Sequence, residues 1–296
     1  MMKDYAGSDE PGKTEQGRDG SVINIFPSKK VMIPVDINMV KQNGTVNAND
    51  SVVSEIKFDI PKNALYKNDA AILNIIAANK WKRPIYFTSP YGELGFQKYL
   101  RQDGLTFRLV PIENSDVNKD WVVDKLMNKF VFGNADKPGV YFDEENRRHL
   151  NSLRYAYAQA ASALADAGRK EEAVKLLDKC DKMMLQENFP YGMPSRGQQH
   201  NQYSLQMLVA AYKSGHTALA DKINRAVKKD MEQQVAYYNS LSDNKRDNLS
   251  DEEGRNDNLL KGLMGLEQQF KNQKPAIPEM PAPINTKPVR KDSGKK

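Results

Sequence analysis

Few residues in this chain of 296 have the types and spacing that chemistry needs. Asp143-Glu144-Glu145 directly precedes a predicted helix, and a carboxylate pair of this kind could do general acid and base work. Acids at a helix N-terminus also complement the helix dipole, and the sequence favours that plainer role. Cys180 is the single cysteine, so no internal disulfide can form. It falls on the packed face of a predicted helix, where a small apolar side chain is wanted rather than a reactive thiol. His149, His200 and His216 lack metal-ligand spacing; His149 reads as a surface residue and His216 as a turn residue. Lys80, Lys82 and Arg83 around Trp81 could grip an anion, but the sequence favours a solvated helix-to-strand corner. There is no phosphate-cradling glycine loop, no Gly-x-Ser-x-Gly elbow and no His-Glu-x-x-His helix. No catalytic residue, no cofactor and no metal is therefore assigned.

One segment stands above this background. The run ENFPYGMPSRGQQHN, Glu187 to Asn201, holds Phe189, Tyr191 and Met193 in a Pro/Gly frame. Such rings either tuck back over a neighbouring hairpin or are offered to a partner. The sequence favours packing and leaves Phe189 and Tyr191 as candidates for partner binding.

The elements that must position these residues follow from composition and periodicity. With 39% hydrophobic and 28% charged residues the chain is globular. The longest apolar run, Ala70 to Ala78, falls far short of the roughly 18 residues a membrane helix needs. Much of the net charge of +6 sits in a Pro-rich tail, where six basic residues from Asn272 to Lys296 face only Glu279 and Asp292. Nucleic acid, which wants basic residues clustered on a folded face, is not expected as a partner.

Residues 1–20 carry no export signal and read as a disordered lead. Residues 21–135 read as an α+β domain with a small mixed β-sheet. Strands are expected at Val22 to Phe26, Val31 to Val40 and Val52 to Ile60, with Asn43-Gly44 as a hairpin turn between the last two. A helix capped by Asn68 follows, ending near Lys80; then a strand at Pro84 to Thr88, a helix at Glu93 to Arg101, a strand at Leu105 to Ile112 and a helix at Asp120 to Phe130. Residues 141–271 change to a period of 3.6. Leu150, Leu153, Tyr157, Ala161 and Leu164 precede Gly168, and Val174, Leu177 and Cys180 return on the next helix. A second hairpin repeats Gly168 and Ala173 as Gly215 and Ala220, and a closing helix is expected at Asn258 to Lys271. Small residues where helices cross are the physical content of the tetratricopeptide pattern, which both hairpins resemble. First helices of such hairpins line a concave side. That geometry makes Tyr155, Ser162, Asp166, Gln202, Leu205, Val209 and Tyr212 candidates, with Phe189 and Tyr191, for binding a protein or peptide partner. Residues 272–296 read as a basic, Pro-rich disordered tail.

Trp81, Arg83-Pro84-Ile85-Tyr86-Phe87, Tyr99-Leu100, Gly104-Leu105, Phe107-Arg108-Leu109 and Pro111 together resemble a segment of the bacterial protein O-mannosyltransferase-like family of multispanning membrane proteins. Phe26-Pro27-Ser28-Lys29-Lys30 and Ile33-Pro34-Val35-Asp36 are similar to it as well. The resemblance implies a soluble region outside the cytoplasmic membrane, in the periplasm, belonging to a longer protein whose catalytic membrane helices are absent here. Membrane contact would come only through that missing N-terminal part. It transfers no activity to any residue of this chain, and leaves a noncatalytic module that positions an acceptor protein. The competing expectation is a free-standing tetratricopeptide adaptor without sugar chemistry.

Overall fold

A computed structural model describes residues 14–16, 18–20, 22–24 and 28–271. The Pro-rich tail, the first thirteen residues and Phe26-Pro27 lie outside the described residues. Strand β1 (Thr14–Gln16) pairs antiparallel with β2 (Val22–Asn24), so part of the expected disordered lead is a hairpin.

Strand β3 (Lys30–Pro34) pairs antiparallel with β4 (Glu55–Asp59), Val31 opposite Phe58 and Ile33 opposite Ile56. These four side chains share the buried face and the residues between them are exposed, as a two-residue period demands. The expected tight hairpin between them is replaced by helix α1 (Ile37–Gln42). Asp36 caps it by accepting from Met39 N at 3.0 Å, and Asn43 closes its C-terminal end instead of starting a two-residue turn. The apolar alternation from Val31 simply ran past a cap.

Helix α2 (Lys67–Asn79) buries Leu73 and Ile76. Its cap is Tyr66, whose N–H donates to Asp69 Oδ2 at 3.1 Å, so Asn68 lies inside the first turn. Lys80 and Trp81 both adopt left-handed φ (47° and 62°), and this bend drops the Trp81 indole into the core, where its Nε1 donates to Pro34 O at 2.9 Å.

Strands β5 (Tyr86–Phe87), β6 (Leu100–Asp103) and β7 (Thr106–Leu109) form an antiparallel sheet with β7 in the centre. The expected helix at Glu93 to Arg101 shrinks to a single turn of 3-10 helix at Gln97–Tyr99. Sheet pairing of Leu100–Asp103 with β7 across Gly104-Leu105 overrides the local helical pattern, and every residue of β6 is buried. The sheets are thus antiparallel rather than mixed, apart from an isolated parallel bridge between Gln102 and Val117. The α+β class stands.

Helix α3 (Lys119–Asn128), expected with the α+β unit, packs Val122 and Leu126 into the core of the helical half. Its last carbonyls are tied down from across that core. Tyr157 Oη donates to Leu126 O at 2.5 Å, and Lys179 Nζ donates to Leu126 O and Met127 O at 2.6 and 2.8 Å. Helices α4 (Glu144–Asp166) and α5 (Lys170–Met183) make one hairpin; α6 (Gln199–Ser214) and α7 (Thr217–Asn239) make another. Gly168 and Gly215 turn them with the same φ of 78°, a conformation glycine adopts without penalty. Ala173 and Ala220, and beyond them Leu176 and Ile223, are all fully buried, so the two hairpins repeat side chains as well as turns. Helix α4 lies on α6, and α6 on α7. A short helix α8 (Asp243–Asp247) then leads into α9 (Ser250–Lys271), which closes over α7. It begins eight residues before the expected start at Asn258, because its first turns are held by polar contacts: Arg246 pairs with Glu253, and Asn256 Nδ2 donates to Met231 O at 3.1 Å. Among the described residues no helix is long and apolar enough to cross a membrane.

Candidate functional site

The segment from Glu187 to Asn201 is built around a buried cation. Arg154 sits inside the apolar stripe of α4, between Leu150 and Tyr157, and is fully buried. Its guanidinium lies 4.3 Å from the Phe189 ring and 4.8 Å from the Tyr191 ring, held between two π faces. It donates to Phe189 O at 3.0 Å, Pro190 O at 3.3 Å and Ser204 Oγ at 3.0 Å. The Phe189 carbonyl is satisfied in this way, and the Pro190 carbonyl gains a second donor beside His200 Nε2. Tyr191 Oη reaches Asp181 Oδ1 at 2.8 Å, which ties the loop to α5 as well. At Gly192 the loop runs so close to α7 that a Cβ would stand 2.2 Å from Ala226 O. The segment is thereby pinned to α4, α5 and α7 at once.

After Gly192 the chain leaves this anchor and runs between two clefts. The first, about 690 Å³, lies between Pro194–Gln198 and the faces of α7 and α9, with Gln234, Tyr237, Tyr238, Glu252 and Arg255 around it. Its inner wall is an amide and carboxylate network. Gln198 bonds Gln234, and Asp230 Oδ2 accepts from Asn201 Nδ2 and Gln234 Nε2, each at 2.8 Å. Gln198 is a non-glycine residue at φ 59°, next to Gly197 at 63°, and the network holds this strained corner in place.

The second cleft, about 860 Å³, lies on the other side of the same segment, against the first turns of α4 and α6. Arg147, Arg148 and Arg196 line it, with Glu144 as the one acid. Arg147 is steadied by donating Nε to Phe142 O at 2.7 Å, and Arg148 pairs with Glu145 at 2.7 Å. Asn151 and His200 also line this cleft. His200 has no exposed surface, and burial, then the neighbouring Arg154 charge, push its pKa down to about 3. The ring is neutral. Nε2 is 2.7 Å from Pro190 O and 3.2 Å from Arg154 Nη1, and the shorter contact, to an atom that can only accept, assigns the ring proton to Nε2.

Several residues singled out from sequence stand elsewhere. Phe189 and Tyr191 are buried against Arg154, so neither ring is offered to a partner: packing is the role they have. Leu205 is buried in the helical core. Ser162 and Asp166 accept from Lys213 Nζ at 3.0 and 2.7 Å, which bridges α4 to α6. Tyr155 is half-buried against Tyr203, ring centroids 5.3 Å apart, and Val209 is half-buried. Tyr212 stacks on Phe270 of α9 at 4.7 Å, so the closing helix covers it. Gln202 is exposed and lines the arginine cleft, its Nε2 donating to Gly197 O at 3.1 Å. Most of the residues expected to face a groove are therefore engaged in packing between helices. Asp143 caps α4 by accepting from Asn146 N at 2.8 Å, and this bond holds its carboxyl below the usual range. Cys180 is buried and its thiol pushed up to about 12 by that burial. His216 lies 2.7 Å from Asp178 at the α6–α7 turn, and His149 is on the surface. Lys80, Lys82 and Arg83 are exposed around the buried Trp81. Among the described residues no group of acids, histidines and cysteines could hold a metal.

Sequence reasoning missed Arg147, Asn151, Arg154, Gln198 and Asp230. An arginine inside an apolar helical stripe was the available signal: a charge there has to be met by buried acceptors.

An α+β unit of small antiparallel sheets, followed by stacked helical hairpins in a repeat-like architecture, is the class this chain represents. Residues 1–127 match the family model of TMEM260-associated domain 2. The matched span takes in the sheets and most of α3 and stops before the hairpins. It links the chain to a TMEM260-like family and suggests a domain of a membrane-associated protein. No curated protein and no solved structure matches the chain.

Proposed function

We propose that this chain is a noncatalytic periplasmic domain of a membrane glycosyltransferase-like, protein O-mannosyltransferase-like protein. Its tetratricopeptide-like hairpins hold a protein or peptide partner beside the membrane. The observation that carries the reading is the segment Met193–Gln198, pinned by the Arg154 anchor so that it presents two clefts, one mainly apolar and one rich in arginine, at the open end of the hairpins. A structural buttress would need the anchor but not the clefts. In the acidic triplet at the start of α4, Asp143 is taken up by capping and Glu145 by Arg148, which supports a binding role over acid and base work. The membrane context is supported by the match at residues 1–127.

Two measurements test this. A reporter enzyme that folds only outside the cytoplasm, fused at the C-terminal end of the natural reading frame, should be active. A photoreactive residue placed at Tyr237 or Gln202 should crosslink a protein partner in intact cells, whereas one at exposed Tyr66, far along the chain in the α+β unit, should not. A silent reporter, or sugar transfer by this chain alone that is abolished by changing one of its own acids, overturns the reading.

A further inference from the structure

We propose that the arginine cleft binds an acidic peptide segment, with Arg147, Arg148 and Arg196 pairing to its carboxylates while Asn151 and His200 accept its N–H groups. The inference rests on the reading of this domain as a partner-binding module and names the partner's chemistry.

Charge comes first. Three guanidinium groups and one carboxylate line the cleft, and Arg196 is exposed with no protein partner. Guanidinium forks match carboxylates in geometry and bind them through paired, charge-assisted hydrogen bonds. The floor adds the selective feature. Asn151 is only 6% exposed, and its Oδ1 has no hydrogen-bond partner. His200 Nδ1 is likewise buried without one. With the ring proton on Nε2, Nδ1 is an acceptor, so both unpartnered atoms require donors. Buried polar atoms without partners are rare in folded proteins, and two at one cleft call for a ligand that supplies N–H or O–H groups there. A bare oxyanion offers the arginines what they need but meets the floor with acceptors against acceptors. A peptide carries backbone N–H donors beside its acidic side chains and meets both. The cleft, at about 860 Å³, is also far larger than a single ion fills.

The test uses the whole chain and a fluorescein-labelled, end-blocked peptide of alternating glutamate and serine, with its glutamine counterpart as control. The glutamate peptide should bind about ten times tighter than the control, since one lost charge-assisted bond costs about a factor of ten. Added salt should weaken it, because the arginines are at the protein surface. Arg196→Gln and Arg148→Gln should each weaken it about tenfold at unchanged melting temperature, for the same reason. The Asn151 side-chain amide resonances should move on binding. Equal affinity for the two peptides, indifference to both arginine substitutions, or displacement of the peptide by an equal concentration of inorganic phosphate or glucuronate overturns the proposal. Crosslinking of a partner through Tyr237 together with any of those results would leave the module reading standing and remove this one.

Discussion

Lowering pH should loosen this protein through one residue, His200, and the size of the effect follows from its surroundings. The ring has no exposed surface, and burial followed by the Arg154 charge lowers its pKa from 6.5 to about 3; the Pro190 carbonyl, which accepts from Nε2, opposes the shift without reversing it. The folded-state value is the lower one, so below pH 6.5 the unfolded chain takes up a proton that the folded chain refuses. Stability is then present in full above about 6.5 and falls as pH drops, by up to about 1.4 kcal/mol per pH unit, until the folded ring itself protonates near 3. At about pH 5 the loss from this one group comes to about 2 kcal/mol, as an order of magnitude. Urea unfolding of the natural protein and of His200→Gln at about pH 7.5 and pH 5 measures it as a double difference, in which the other titrating groups cancel. The substitution will lower stability at both pH values, yet the natural protein should lose about 2 kcal/mol more than the variant on acidification. Equal losses in the two proteins, or a His200 ring that titrates near 6.5 by NMR in the folded state, would refute the reasoning.

Arg154→Ala should cost about 3–5 kcal/mol, since it opens a cavity, strips the Phe189 carbonyl of its donor and leaves Pro190 O with His200 Nε2 alone, and chemical denaturation reads it directly. Gly192→Ala should destabilise comparably to a core substitution and raise protease cleavage at Met193 to Gln198, because the new Cβ meets Ala226 O at 2.2 Å; resistance equal to the natural protein would show that the loop is free to shift. Cys180 should react with a thiol reagent at neutral pH only in denaturant, given a buried thiol pushed up to about 12; reaction in the folded state at the rate of a free thiol would contradict the packing.

Much of the helical half was legible in the sequence because its period never breaks. From Leu150 to Leu164 the apolar residues recur on one face, Gly168 and Gly215 mark the turns, and Ala173 and Ala220 mark the crossings; the observed helices follow them closely. The α+β unit was legible in class and not in detail. Its failures share one cause. At Asp36 a short polar side chain captured a backbone N–H and turned an apparent strand into a helix, and at Leu100–Asp103 pairing with β7 defeated a local helical pattern. In these places a capping bond and a strand pairing outweigh intrinsic propensities worth a few tenths of a kcal/mol per residue.

The site was visible only as a segment, and the reason lies in how the segment is held. Pro, Gly and aromatic residues between Glu187 and Asn201 announce a fixed loop, but what fixes it is Arg154, more than thirty residues earlier, reading as an anomaly in an otherwise apolar stripe. Once Arg154 has drawn Phe189 and Tyr191 inward, the residues left outside include the polar Arg196, Gln199 and Gln202, and they fall between two helix faces whose own polar residues are spaced too far apart in sequence to be read as a group. Arg147 and Arg196 are 49 positions apart, and the same hairpin stacking that buries Leu205 and covers Tyr212 brings those two arginines to one cleft. Aromatic residues in the loop therefore serve as the foundation of the proposed binding surface, and the arginine cleft beside them is charged. That inversion makes a definite demand on a ligand of the arginine cleft: its affinity should fall with salt and depend on its acids, and removing its apolar side chains should matter little.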